Sequence, residues 1–379
     1  MTEFADRTGL TASARPLRRY LWTDAFAVCN FLELFRRTGR ERYLQDALTL
    51  MKQVHTVLGR YREDDMRSGW ISGLEEQEGV QHPMQGGLRI GKEMNERGPE
   101  EPFDEHMEWE RDGQYFHYLT KWMHSLNCLA RVTGDSSYNR WALECAKTAF
   151  ARFTYMPWTG GPKRLHWKMS IDLSRPLVPS TGQHDPLDGL ITYTQIQMTA
   201  ARFAGTSAET PLAGEIADLT AMCEGMDLAT DDPLGIGGLL TDAYRLSQLM
   251  ISGNLHESER LVSLLRDAEL SLDAFAPTSH LNAPADYRLA FRELGLSIGL
   301  QAIGKMQKTI DQHPGSFSHQ EQLNSGLAGL ARFLPLSQLI ESFWLEPDNQ
   351  QSSTWTAHRD INNVMLATSL GPDGYLVLP

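Results

Sequence analysis

Two kinds of apolar pattern alternate along the chain. Leu21–Thr38 is apolar on most faces, through Phe26, Ala27, Val28, Phe31, Leu32, Leu34 and Phe35. Glu41–Leu58 keeps its apolar positions to one stripe of Leu44, Ala47, Leu48, Met51, His55 and Leu58, with Lys52 and Gln53 off it. A helix apolar all round must be buried, and a helix with one stripe covers it. The alternation returns. Residues 112–133 are broadly apolar, and the stripe after them holds Tyr138, Trp141, Ala142, Cys145, Ala149 and Phe153. Weaker copies begin at 190–204 and 239–252, and a fifth pair at 288–306 is followed by 317–344, broken at Pro335. A last helix is predicted over 356–368, and no stretch reads as a sheet. Six helices of the buried kind are followed by five covers, with the N-terminal segment as source of a sixth. The pattern predicts an inner ring of helices inside an outer ring, an all-α (α/α)6 toroid forming one domain over 1–379. An open α-solenoid is the alternative, but no solenoid consensus is present and the loops are long.

The connections sharpen that picture. Within each pair they are short, around Gly39, Gly134, Gly205 and Gly253. Between pairs they are usually long: 59–111, 154–187, 230–238, 276–287 and 345–355. In a closed ring every long loop then decorates the mouth at the N-terminal ends of the buried helices. Long ordered loops are usually functional, and helix N-termini bring partial positive charge.

Composition mainly excludes partners. The 379 residues carry a net charge of −13 and no basic stripe, which argues against nucleic acid. No apolar run approaches the roughly 20 residues of a membrane span. Cys29, Cys128, Cys145 and Cys223 fall inside predicted helices without a CxxC pair, so they read as free buried thiols of a reducing compartment. The first twenty residues lack the apolar core of a signal peptide, and the expected location is cytoplasmic. The oligomeric state stays open.

The richest chemistry lies in His166 to Leu190, HWKMSIDLSRPLVPSTGQHDPLDGL, a stiff polar loop feeding a buried helix. Aromatic faces beside carboxylates, amides and cations are what a sugar site needs: rings stack on the apolar face of a pyranose and polar groups read its hydroxyls. Trp109, Trp158 and Trp167 are the stacking candidates. His82, Arg89, Gln114, Tyr115, His117, Lys168, Arg175 and His184 are candidates for positioning a small-molecule or oligosaccharide substrate. Asp112 and Asp188 form the candidate catalytic pair, with Asp185 and Glu108 as substitutes. Helix capping competes with that role. Asp185 fits a cap with Pro186 at the first helical position and Asp188 two residues further on, and Asp112 is similarly placed. His55, on an apolar stripe, reads as a core histidine. His82, His106, His117, His166 and His184 could supply metal ligands, but none sits at HExxH or another established spacing, so no metal or other cofactor is expected. GGLRIGK lacks the Ser/Thr and the preceding strand of a phosphate loop and reads as a flexible cover for the mouth.

The two TG-x-x-x-Y hairpins, at Thr38–Tyr43 and Thr133–Tyr138, resemble those of six-hairpin glycosidase-like proteins. These include unsaturated glucuronyl hydrolases and N-acylglucosamine 2-epimerases. The resemblance implies the toroid and a carbohydrate substrate. In the glucuronyl hydrolases two aspartates at inner-helix ends are central, and Asp112 with Asp185 or Asp188 are the nearest counterparts by position in the repeat. Three functions follow as expectations. The leading expectation is a glycoside hydrolase using a carboxylate pair, and the other two are alternatives to it. A sugar epimerase or isomerase would use His184 or His117 as base. A non-catalytic toroid would bind a glycan or a protein.

Overall fold

The computed structural model describes residues 1–11, 17–205, 210–278 and 281–378. Among these the architecture is all-α. The strands form two antiparallel ladders of two residues a side, Gln114–Tyr115 with Lys168–Met169 and Thr154–Tyr155 with Arg164–Leu165. Six largely buried helices alternate with covering helices, the succession of the (α/α)6 class. The chain parts into two compact units, one of residues 5–224 and one of residues 225–378 with 1–4.

The first unit holds three hairpins. The first buried helix is Leu21–Thr38, covered by Glu41–Leu58. The second is Phe116–Thr133, covered by Ser136–Phe153, and the third is Asp185–Ala204, covered by Ala213–Cys223. Each packs on its own cover, and the second also packs on the first and third. The first two buried helices stop where glycine adopts a left-handed backbone, at φ 64° for Gly39 and 77° for Gly134. There the glycine N–H caps the carbonyl of Phe35 or Ala130, a conformation that costs other residues a Cβ clash.

Two predicted boundaries move. The second buried helix begins at Phe116, not near Asp112, because the Gln114–Tyr115 ladder occupies the approach. The third begins at Asp185 rather than 190, with His184 in the capping position. Asp185, Pro186 and Asp188 therefore all lie in the first turn, and Asp185 is not the cap.

In the second unit, Pro233–Gly253 packs on Ser258–Thr278 and on Ala290–Gln312. The cover of Ala290–Gln312 is split into Gln320–Ala331 and Pro335–Leu345, with Pro335 opening the second piece. The last buried helix is Arg359–Leu370, which also packs on Ala290–Gln312.

His55 is a core residue, as its stripe position predicts. It is 4% exposed, and Trp122 Nε1 donates to its Nε2 at 3.1 Å. Burial pushes its pKa down to about 3. The unfolded chain protonates this imidazole near pH 6.5, whereas the folded chain does not until near pH 3. The contribution is thus fully present above about pH 6.5 and is lost as pH falls toward 3. His55→Gln keeps an acceptor for Trp122 but does not titrate. Urea midpoints at about pH 7 and about pH 4 should show a smaller acid-induced loss in His55→Gln than in the parent chain. Equal losses would place the acid sensitivity elsewhere.

Candidate functional site

Loops 59–111 and 154–184 interlock over the N-terminal ends of the second and third buried helices. Arg67 pairs with Glu96 at 2.6 Å and with Asp172 at 3.1 Å. Glu96 also accepts from the Ile171 amide at 2.6 Å. Gln114, fully buried, donates to the carbonyls of Gly86 at 2.9 Å and Ile171 at 2.7 Å. Its side chain ties the two loops together and faces no open space.

An aromatic layer lies on this platform. Tyr115 stacks on Trp167 with centroids 5.0 Å apart and planes 5° off parallel. Trp109 leans on Trp167 at 5.1 Å. His117 stacks on the other neighbour, Tyr115, at 5.3 Å, and meets Trp22 and Tyr118 edge-on. Trp109, Tyr115 and Trp167 line a cavity of about 240 Å³ with Glu108, Lys168 and Ser180. That is smaller than the roughly 300–1,000 Å³ of typical ligand pockets. At its polar end Lys168, fully buried, pairs with Glu108 at 3.0 Å and donates to the Arg111 carbonyl at 3.0 Å. Burial lowers the lysine pKa, and Glu108 opposes the shift. Glu108 also pairs with Arg97 at 3.0 Å.

The remaining carboxylates are held differently. Asp112 has no exposed surface. Its Oδ2 accepts from Arg89 at 2.9 Å, and its Oδ1 accepts from the amides of Gly91 at 2.9 Å and Gly113 at 3.1 Å. Asp188 pairs with Lys121 at 2.7 Å and accepts from the Thr120 hydroxyl. Asp185, 6% exposed, lies 3.5 Å from His117 Nδ1. Among the described residues neither its Oδ2 nor the buried Nε1 of Trp22 has a hydrogen-bond partner. The imidazole of His117 is 28% exposed.

The structure therefore gathers Glu108, Trp109, Tyr115, Trp167 and Lys168 around one cavity, with His117 against Tyr115, Asp185 beside His117, and His184 preceding Asp185 at the helix cap. Other candidates stand apart from that aromatic layer. His82 pairs with Glu144 of the second covering helix at 2.6 Å. Arg89 is engaged with Asp112 and with the carbonyls of Arg60 and Val57. Arg175 donates to the Arg97 carbonyl, and Trp158 is 97% exposed. His166 stacks on Tyr155 at 4.2 Å, with its pKa lowered by burial.

The histidines singled out for metal form no three-donor group among the described residues. Cys29, His124 and Cys128 do, all buried. Sequence reasoning set those thiols aside because no CxxC was present. The signal it passed over is HSLNC, a histidine and a cysteine one helical turn apart at 124 and 128.

No protein-family model and no curated protein matches the chain. Among solved structures it is similar to cellobiose 2-epimerase from Bacillus thermoamylovorans, at 10% identity over 93% of this chain and 88% of that one, with a TM-score of 0.47. It is similar to a sugar epimerase from a ruminal bacterium, at 9% identity over 93% and 87%, TM-score 0.49. It is also similar to cellobiose 2-epimerase from Spirochaeta thermophila, at 12% identity over 93% and 86%, TM-score 0.47. At these identities and TM-scores the likeness assigns no residue a role.

Proposed function

We propose that the chain is a carbohydrate-active enzyme that epimerises or isomerises a sugar, with His117 as the proton-transfer base and Asp185 as its positioning residue. The observation that carries this reading is the pair itself. A partly open imidazole stacks on an aromatic layer, with a buried carboxylate 3.5 Å from its Nδ1. That carboxylate favours a proton on Nδ1 and leaves Nε2 as the basic nitrogen. The separation is long for a hydrogen bond, as unliganded sites often are before substrate tightens them.

The chemistry is proton abstraction from the carbon next to the carbonyl of an open-chain sugar. The electron pair passes to the carbonyl oxygen and gives an enediolate. Return of the proton to the opposite face yields the epimer; return to the former carbonyl carbon, with the hydroxyl proton passing from the neighbouring oxygen to the former carbonyl oxygen, yields the isomer. His184, adjacent to Asp185 in the chain, is the candidate second proton carrier. Trp109 and Trp167, which line the cavity, offer aromatic surface for the apolar face of the ring.

The carboxylates favour this reading over hydrolysis. Asp112, Glu108 and Asp188 are already engaged by cations and N–H or O–H donors. The fourth candidate, Asp185, is the carboxylate beside His117. The test is to incubate the protein in D2O with a panel of aldoses, disaccharides and uronic acids, following the carbon-bound proton next to the carbonyl by NMR. Loss of that signal, with formation of an epimer or ketose, is expected. Release of a reducing sugar without exchange would favour the hydrolase instead.

A further inference from the structure

Deeper in the first unit, three soft donors meet between the first two buried helices. Cys29 lies on the first and His124 and Cys128 on the second, all buried, with their donor atoms within 4.8 Å of one another. Cys128 Sγ stands 3.6 Å from His124 Nε2. The other ring nitrogen, Nδ1, is 3.1 Å from Gln195 Oε1 of the third buried helix. Gln195 is fixed in turn, because its amide nitrogen donates to Asn127 Oδ1 at 2.6 Å. Asn127 donates to Asn139 at 2.8 Å, and Asn139 to the Ile196 carbonyl at 3.1 Å. Gln195 thus presents its oxygen to the ring. His124 carries its proton on Nδ1, and the Nε2 lone pair faces Cys128.

A ligating histidine is typically held in this way, with the far ring nitrogen donating to an oxygen that sets tautomer and orientation. The spacing fits as well. Bonds of about 2.3 Å to sulfur and about 2.0 Å to nitrogen, at a tetrahedral angle, place the two donors about 3.5 Å apart. The Cys128–His124 edge, at 3.6 Å, is close to that length. Two thiolates would neutralise Zn(II), so that ion adds no net charge to a buried region; around Cu(I) one thiolate with one thiol would do the same. Thiolate and imidazole select Zn(II) or Cu(I) over the oxygen-seeking Mg(II) and Ca(II).

We propose that Cys29, His124 and Cys128 bind one soft d10 metal ion, Zn(II) or Cu(I), which clamps the first hairpin to the second. The site is separate from the proposed proton-transfer pair. His124 lies seven residues beyond His117 on the same helix, about 10 Å along its axis.

The full chain would be purified from cells grown with added Zn(II), and from cells grown with added Cu(I)-generating copper. Metal content would be measured after exhaustive dialysis, with X-ray absorption on the metal edge and thermal unfolding before and after a strong chelator. One equivalent of either ion, with sulfur and nitrogen neighbours and a lower Tm on its removal, is expected, and the retained ion identifies the source. Cys29→Ser with Cys128→Ser should lose the ion, and His124→Gln should weaken its retention by at least tenfold. A parent chain that retains neither ion and shows no chelator-dependent Tm would overturn the proposal, leaving a thiol–imidazole hydrogen bond only. Undiminished retention in the double cysteine variant would overturn it too. Because the parent chain is measured directly, a variant that fails to fold does not shelter the idea.

Discussion

His117→Gln should lower carbon-bound proton exchange by about 10²- to 10⁴-fold, the usual contribution of a positioned general base. Glutamine is of similar length and can lie against Tyr115, but it cannot accept a proton at neutral pH. The imidazole is 28% exposed and lies in the first turn of its helix, so thermal stability should change little. Asp185→Asn tests the other half of the pair. An amide beside Nδ1 no longer favours the tautomer with a free Nε2. The expected result is a fall in kcat with KM retained, smaller than for His117→Gln. Exchange measured by NMR, with circular dichroism melts on the same samples, separates the outcomes. Full exchange in His117→Gln would remove this residue from the chemistry and return attention to His184. Loss of glycosidic cleavage in Asp188→Asn, with His117→Gln unaffected, would restore the hydrolase reading.

The helices were legible because their signals are local. Stripe or all-round apolarity separates covers from buried helices, and Gly39 and Gly134 mark two ends through a backbone conformation only glycine takes cheaply. The boundary at 112 misled because Asp112-Gly113-Gln114-Tyr115 continues an apolar helix with no breaker except one glycine. The ladder that displaces the helix is made with Lys168–Met169, more than fifty residues away in sequence. Composition also pointed to the long loops and helix starts from which Tyr115, His117, Trp109 and Trp167 come into contact. Residue type alone could not separate a reacting carboxylate from a structural one. Asp112, Asp185 and Asp188 look alike as letters beside helix starts, and differ in which cation or amide the fold delivers to each. The Cys29 contact was invisible for the same reason, since its partners lie on another helix.

Asp112→Asn should destabilise the fold by about 3–5 kcal/mol, the usual result of breaking a buried ion pair from one side. Asp112 is the junction of three segments. Arg89 reaches it from the long loop while donating to Val57 at the end of the first covering helix, and the amides of Gly91 and Gly113 close on its other oxygen. An asparagine oxygen can still accept the two backbone amides. Its Nδ2, however, then faces the Arg89 guanidinium, donor against donor, and the arginine keeps a buried charge without its counterion. A cap alone would cost on the order of 1 kcal/mol. A catalytic acid would lose turnover with stability nearly intact. Urea unfolding of Asp112→Asn therefore distinguishes three roles by magnitude. The pair Asp112→Asn with Arg89→Met sharpens the result, because removing both partners of a buried pair costs less than orphaning one. The double variant should be more stable than Asp112→Asn alone. If instead the single change costs under about 1 kcal/mol, the junction is not what holds the rim, and Asp112 becomes available again as a reacting group.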